Sequence, residues 1–398
     1  MSAEPLVSVI VNNYNYDRFV GEAIESALRQ SYANTEVIVV DDGSTDDSRE
    51  VIRSFGNRIT AVLKDNGGQG SAYNAGFAVS NGDYVCFLDA DDILLAGAMS
   101  DAVAAFREPE TVKVEWKLWV IDECGRESGF AIPEKPLPQD LQERTLRDGP
   151  FYDWLVTPPS SGNCFSRQML QQVLPMTEPE FRHGADVCLT MLAPVYGKVF
   201  RLPQPQGSYR QHGANNYFGR QLDESRLRDY VQRFESCCLV LSNHLQSLGI
   251  HADVTPWRQR NFNYLWPRRL LQAKQDLAAI VPTGESYILI DDNEWGIGEH
   301  VTGRHAIPFL ERDGAYAGPP TDDEQAIREL ERMRQTGASV LAIWWTAFWW
   351  LDQYPAFARY LRERFDCALD AEHLIAFDLR CPLPVECLEV STSWARQA

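Results

Sequence analysis

From Leu6 the apolar run Val7-Ser8-Val9-Ile10-Val11 is strand-like and gives way to the polar Asn12-Asn13-Tyr14-Asn15. Over residues 18–30, Phe19, Ala23, Ile24, Ala27 and Leu28 recur on one helical face and predict an amphipathic helix. Val37-Ile38-Val39-Val40 predicts a second strand, which runs into Asp41-Asp42-Gly43-Ser44; residues 48–55 read as a helix and 60–63 as a third short strand. Tyr84-Val85-Cys86-Phe87-Leu88 is a buried strand that ends abruptly in Asp89-Ala90-Asp91-Asp92. Strand and helix alternate, which predicts an α/β fold with a largely parallel sheet and helices on its faces.

Further along, residues 112–121 read as one strand and 133–138 as a proline-rich loop. Ser160-Ser161-Gly162-Asn163 is a small-residue turn leading to a helix over 168–173, and Asp186 opens another helix. Residues 223–280 are helical and charged, with Leu227, Tyr230, Val231, Phe234 and Cys238 at helical spacings. Beyond residue 281 two strand candidates, Tyr287-Ile288-Leu289-Ile290 and Val340-Leu341-Ala342-Ile343-Trp344-Trp345, flank a helix over 322–335, with a late strand over 374–379. The expected organisation is a first α/β domain over 1–220, a helical connector over 221–280 and a small C-terminal α/β domain over 281–398. In that last domain Trp344, Trp345, Phe348, Trp349 and Trp350 are read as core, with sugar-ring binding the alternative.

The formal net charge of −19 argues against nucleic-acid partners and against nonspecific attachment to anionic lipid. One local exception is the basic, aromatic stretch Trp257, Arg258, Arg260, Tyr264, Trp266, Arg268 and Arg269, read as packing on the first domain, with weak peripheral membrane contact the alternative. No apolar segment is long enough to span a bilayer, and the Met1-Ser2-Ala3-Glu4-Pro5 start has no signal-peptide pattern. The nine cysteines show no paired zinc spacing. A cytoplasmic protein is expected.

Clustered acids at the end of a buried strand call for something positive. The outer carboxylates, Asp89 and Asp91, suit a divalent cation that also binds substrate phosphates, Mg²⁺ or Mn²⁺. Asp92 suits instead the N-cap of a helix starting near Ile93. Ligands of parallel sheets bind beyond the carboxyl ends of the strands, so Asn12 to Asn15, Asp41 to Ser44 and Asp89 to Asp92 are expected to share one site. Asn66-Gly67-Gly68-Gln69-Gly70-Ser71-Ala72-Tyr73-Asn74-Ala75-Gly76 permits close backbone approach but is neither a Walker loop nor a Rossmann fingerprint.

Val7 to Asn15, Val40 to Ser44, Asn66 to Gly76 and Asp89 to Asp92, in that order and covering about the first hundred residues, resemble family 2 glycosyltransferases with the GT-A fold. The resemblance implies an inverting transferase that moves a sugar from a nucleoside-diphosphate donor, expected to be UDP-linked, to a glycan, lipid-linked or other hydroxyl acceptor, as in bacterial surface glycan synthesis. It implies that Tyr14 stacks on the base, that Asp41 accepts its ring N–H, and that Asn12, Asn15, Asn66, Gln69 and Asn74 line the donor pocket. Asp89 then contacts the ribose or the metal's water shell, and Asp91 binds the metal. Ala72-Tyr73-Asn74 stands where the family often has Ala-Arg-Asn, so an arginine contact to the donor is missing. Ala185-Asp186 resembles the family's Glu-Asp motif, which makes Asp186 the catalytic base, and His212 in Tyr209-Arg210-Gln211-His212 resembles a histidine that adds a metal ligand. The rivals are a noncatalytic glycan-binding scaffold, which would leave Asp89, Asp91 and Asp186 remote from one another, and a sugar-nucleotide-forming nucleotidyltransferase. The latter would need a glycine-rich, basic N-terminal loop that the chain lacks.

Overall fold

A computed structural model describes residues 4–150, 156–177, 180–213, 224–295 and 300–382. The chain forms two compact units, Met1–Leu265 and Trp266–Ala398, and the division falls within a helix, Phe262–Ile280.

The first unit opens with β1 (Val7–Asn13), α1 (Val20–Leu28), β2 (Thr35–Asp42), α2 (Ser48–Ser54), β3 (Thr60–Lys64), α3 (Gln69–Val79), β4 (Tyr84–Asp89) and β5 (Ile93–Leu94). It continues with α4 (Ala98–Ala105), β6 (Thr111–Glu115), β7 (Leu118–Ile121), β8 (Glu127–Ile132), α5 (Leu141–Asp148), β9 (Asn163–Ser166), α6 (Arg167–Val173), α7 (Ala185–Tyr196), β10 (Lys198–Arg201) and β11 (Gly207–Arg210). The helices α8 (Glu224–Ser247) and α9 (Thr255–Arg260) follow, and α10 (Phe262–Ile280) begins here.

Its main sheet has seven strands in the order β10-β6-β9-β4-β1-β2-β3. β4, β1, β2 and β3 are parallel, and β9 runs antiparallel between β4 and β6. Successive residues of a strand face opposite sides. Val9 and Val11 therefore join the core with α1, α2 and α4, while Ile10 joins the other with α3, α6, α7 and α8. Cys237, Cys238, Leu241, Leu245 and Trp257 belong to that second core, which makes α8 and α9 part of the same unit. Trp257 is buried, its indole N–H donating to the Leu146 carbonyl at 3.2 Å, and Arg258 pairs with Glu235.

Three local expectations change. Residues 112–121 form two strands in different sheets, β6 and β7, because the chain breaks at the buried Trp116, whose backbone N–H donates to the Gly162 carbonyl. The stretch after Gly162 is the strand β9, with Asn163 and Cys164 opposite Glu115 and Val114. No helix starts at Ile93: Ile93–Leu94 is the short strand β5, paired with β11, and the helix begins at Ala98.

The second unit continues with β12 (Ser286–Ile290), β13 (His305–Pro308), β14 (Glu311–Arg312), β15 (Ala315–Tyr316), α11 (Asp323–Gln335), β16 (Ala338–Trp344), α12 (Trp349–Gln353), α13 (Pro355–Arg364), β17 (Asp366–Asp370) and β18 (Leu374–Asp378). Its five-stranded sheet, β13-β12-β16-β18-β17, is parallel over the first three strands and antiparallel over the rest. Trp344 and Trp350 are fully buried in it, while Trp349 is 42% exposed. Among the described residues no helix is long and apolar enough to cross a membrane.

Candidate active site

Register sets the floor of the site. Asn12 stands opposite Asp89 on β4 and Asn13 opposite Asp41 on β2, so the polar residues of three parallel strands end at one level. Asn13 donates to Asp41 at 3.0 Å, and Arg49 and the Ser44 amide donate to the other Asp41 oxygen at 2.6 and 3.1 Å. Burial alone would raise the Asp41 pKa, but the hydrogen bonds from Ser44, Arg49 and Asn13 outweigh it and hold the carboxyl below its ordinary value. Asn15, at φ 59°, accepts from the Thr45 amide at 2.7 Å, and this leaves Tyr14 47% exposed at the rim.

The acids after β4 are crowded. Asn12 donates to Asp89 at 2.6 Å, and its own side-chain oxygen is buried without a hydrogen-bond partner. Burial, then the charge of Asp91, pushes Asp89 up to about 7 against the bond from Asn12, with Asp186 adding to the rise. His212 Nε2 lies 3.0 Å from Asp91 Oδ2, so the ends of β11 and β4 bring together two of the three residues read as metal ligands, Asp89 being the third. Asp92 is not a helix cap. It accepts from Ser161 at 2.6 Å and from the Arg210 amide at 2.9 Å, and burial with the charges of Asp91 and Asp89 raises its pKa well above the ordinary value. Arg210 closes this layer: its Nε donates to the Asp91 carbonyl at 2.9 Å, it pairs with Glu22, and it lies over the Phe19 ring at 4.9 Å. Among the described residues no three His, Cys, Asp or Glu side chains are grouped so as to hold a metal by themselves.

Asp186 lies in the first turn of α7. Burial raises its pKa, opposed by the Val187 amide and by the charges of Arg233 and Lys113. Tyr73 links it to the strand end, because this fully buried phenol, stacked on Phe87 at 3.9 Å, is raised first by burial and then by the charges of both Asp89 and Asp186. Asp89 thus feels the charges of both Asp91 and Asp186.

The glycine-rich segment is held from below by a residue not singled out in the sequence as a ligand or a base. Asp42 accepts from the amides of Gly67 and Gly68 at 2.9 and 2.6 Å, from Asn66 at 3.1 Å and from Lys64 at 2.7 Å. Asn66 also receives Arg182. Asn74 is occupied elsewhere: its amide exchanges hydrogen bonds with the backbone of Met176 at 2.9 and 3.0 Å. Gln69 faces Gly184 and Ala185 at the start of α7. Past His212, residues 214–223 lie outside the described residues.

A parallel half-sheet with polar strand ends and an antiparallel strand between β4 and β6 is the mixed α/β sheet of a GT-A glycosyltransferase. The family model for glycosyl transferase family 2 matches residues 8–153. An uncharacterized glycosyltransferase of Nostoc sp. is 37% identical over 280 residues, which are 69% of this chain and 85% of the relative. The chain belongs to glycosyltransferase family 2. The glycosyltransferase GlyG of Streptococcus pneumoniae is 42% identical over 156 residues, 37% of this chain and 52% of that protein. Among solved structures, S. aureus TarS in complex with UDP-GlcNAc aligns with a TM-score of 0.44 at 17% identity, over 66% of this chain and 80% of that one. The mannosyltransferase PcManGT of Pyrobaculum calidifontis, in complex with GDP-Man and Mn²⁺, aligns with a TM-score of 0.43 at 16% identity, over 71% and 77%.

Proposed function

We propose that this glycosyltransferase is metal-dependent and inverting, and that it moves a sugar from a nucleoside diphosphate, UDP in the first instance, to a hydroxyl of a glycan or lipid-linked acceptor. The observation that carries this reading is the end of β4, where His212 meets Asp91 at 3.0 Å and Asp89 feels the charges of both Asp91 and Asp186. Buried like charges of this kind are costly unless a cation or a proton offsets them, and active sites are where such cost is retained.

Asp91 and His212 offer one carboxylate and one imidazole, a donor set that fits Mn²⁺ or Mg²⁺ completed by phosphate oxygens and water. A divalent ion bound there neutralises charge developing on the departing diphosphate. Asp89, steadied by Asn12, serves the ribose or the metal's water shell. Tyr14 offers an exposed ring to the base, and the low pKa of Asp41 keeps it an acceptor for a ring N–H. Asp186 takes the proton of the acceptor hydroxyl as its oxygen attacks the anomeric carbon on the face opposite the leaving group. Burial raises the basicity of this carboxylate, which favours the transfer. The action is placed in the cytoplasm, in keeping with described cysteines that are all free thiols.

The test is thermal melting with UDP-glucose, UDP-GlcNAc, UDP-galactose and GDP-mannose, each with and without Mn²⁺. A ligand of the folded state raises the melting temperature. One nucleotide family is expected to do so, and only with Mn²⁺; no response to any of them contradicts the proposal.

A further inference from the structure

The side chain of Gln69, read from the sequence as a donor contact, is spent on the helix that carries Asp186. Gly184, the residue before α7, is left-handed at φ 78° and has no side chain with which to cap the helix. The first amides of a helix have no intrahelical partner, and a neighbouring oxygen must satisfy them. Gln69 Oε1 accepts from both Gly184 and Ala185, each at 3.0 Å, one residue before Asp186. Its Nε2 donates to Ser160 Oγ at 3.2 Å and leans on the Tyr73 hydroxyl at 3.4 Å. The backbone returns the contact: the amides of Gln69 and Gly70 donate to the carbonyls of Arg182 and Phe181, each at 2.9 Å. Two helix starts therefore cap each other.

The approach is too close for side chains. A Cβ on Gly68 would meet the Arg182 carbonyl at 2.6 Å, and one on Gly70 would meet the Phe181 carbonyl at 2.8 Å. The near side of this clamp rests on Asp42, which holds the Gly67 and Gly68 amides. A continuous series of hydrogen bonds thus runs from the carboxyl end of β2, beside Asp41 of the donor pocket, to the first turn of α7.

We infer that Gln69 is a positioning residue for Asp186: it fixes the start of α7, and with it the base, to the loop anchored by Asp42, and does not bind the donor. The inference rests on Asp186 being the base. A displacement of about 1 Å between base and hydroxyl costs on the order of 10²-fold in rate, so the loss belongs in turnover and not in nucleotide affinity.

The experiment uses the full chain with three variants, Gln69→Leu, Gln69→Glu and Asp186→Asn. UDP affinity with Mn²⁺ is measured by calorimetry, and sugar release to water is followed with whichever of UDP-glucose, UDP-GlcNAc and GDP-mannose the native protein cleaves fastest. Hydrogen exchange over 181–196 is recorded in parallel. Gln69→Leu is expected to keep its UDP affinity, to lose on the order of 10²-fold in turnover, and to lose amide protection at 184 and 185. Gln69→Glu, which keeps an acceptor oxygen for both amides, restores that protection and most of the turnover. If Gln69→Leu does not fold, Gln69→Asn withdraws the oxygen by one methylene and takes its place. Weakened UDP binding in the Leu or Asn variant, or unchanged protection and turnover, overturns the inference while Asp186→Asn remains inactive. Full turnover in Asp186→Asn instead removes the base reading, and the positioning role falls with it.

Discussion

Each unit ends parallel strands in carboxylates, yet the two groups of acids are disposed differently. In the first unit Asp89, Asp91 and Asp92 crowd one another, and the burial and mutual charge that push Asp89 up to about 7 are left standing. In the second, Asp292 follows β12 and its oxygens are taken by the indole N–H groups of Trp349 and Trp350, at 2.9 and 3.1 Å, and by Tyr316 at 3.3 Å. Asp291 accepts from the amides of Asn293 and Trp295 in its own turn, at 3.0 and 2.8 Å. An acid at a strand end is thus no sign of a site by itself. What separates the two edges is whether the carboxylates are consumed by their own fold or held against one another.

The largest expected effect tests the crowded edge. Asp91→Ala should abolish Mn²⁺-dependent UDP binding and leave the fold intact, which calorimetric titration alongside circular dichroism would show. Native affinity in the variant would put Asp91 with the structural acids of the other unit.

A smaller effect tests the consumed edge. Asp292→Asn suits the left-handed backbone at φ 51° but sets an N–H₂ group against one or two of the three donors. It should destabilise the second unit by about 1–3 kcal/mol, the cost of leaving buried polar groups unpaired, while UDP affinity stays native. Denaturation followed by tryptophan fluorescence reads the first and calorimetry the second; a loss of UDP binding would break the comparison.

The smallest effect is on pH. Asp89 at about 7 and Asp291, raised by burial to about 6, both lie above the ordinary 3.8. The folded protein therefore holds protons that the unfolded chain releases, so this contribution to stability is fully present below about pH 4 and is lost as pH rises through 6 and 7. The melting temperature of the metal-free protein should fall over that window, less steeply in Asp89→Asn. Saturating UDP with Mn²⁺ should remove the Asp89 part and leave the Asp291 part, and an identical slope with and without ligand would show that both edges are structural.

The sequence carried the parallel half of the main sheet because Val7 to Val11, Val37 to Val40 and Val85 to Leu88 announce strands, and the polar residues after them mark their ends. It carried the second unit's main strands and the α11 helix for the same reason. The strand β9 was illegible, since Ser160, Ser161 and Gly162 before it signal a turn and only its neighbours β4 and β6 make it a strand. Asp92 looked like a cap because its partners, Ser161 and Arg210, stand 69 and 118 residues away. Gln69 and Asn74 looked alike within one polar, glycine-rich segment. One clamps α7 and the other fastens Met176, which no local pattern reveals.

The most direct test of the account is Asp186→Asn, assayed for both donor affinity and sugar transfer. The substitution keeps the shape of the side chain and removes its basicity. Donor and Mn²⁺ should bind nearly as in the native protein, transfer should fall by roughly 10² to 10⁴ as for a positioned acid–base group, and the product of the native enzyme should be inverted at the anomeric carbon. Near-native transfer by the variant, or a native product that retains the donor's configuration, would contradict it.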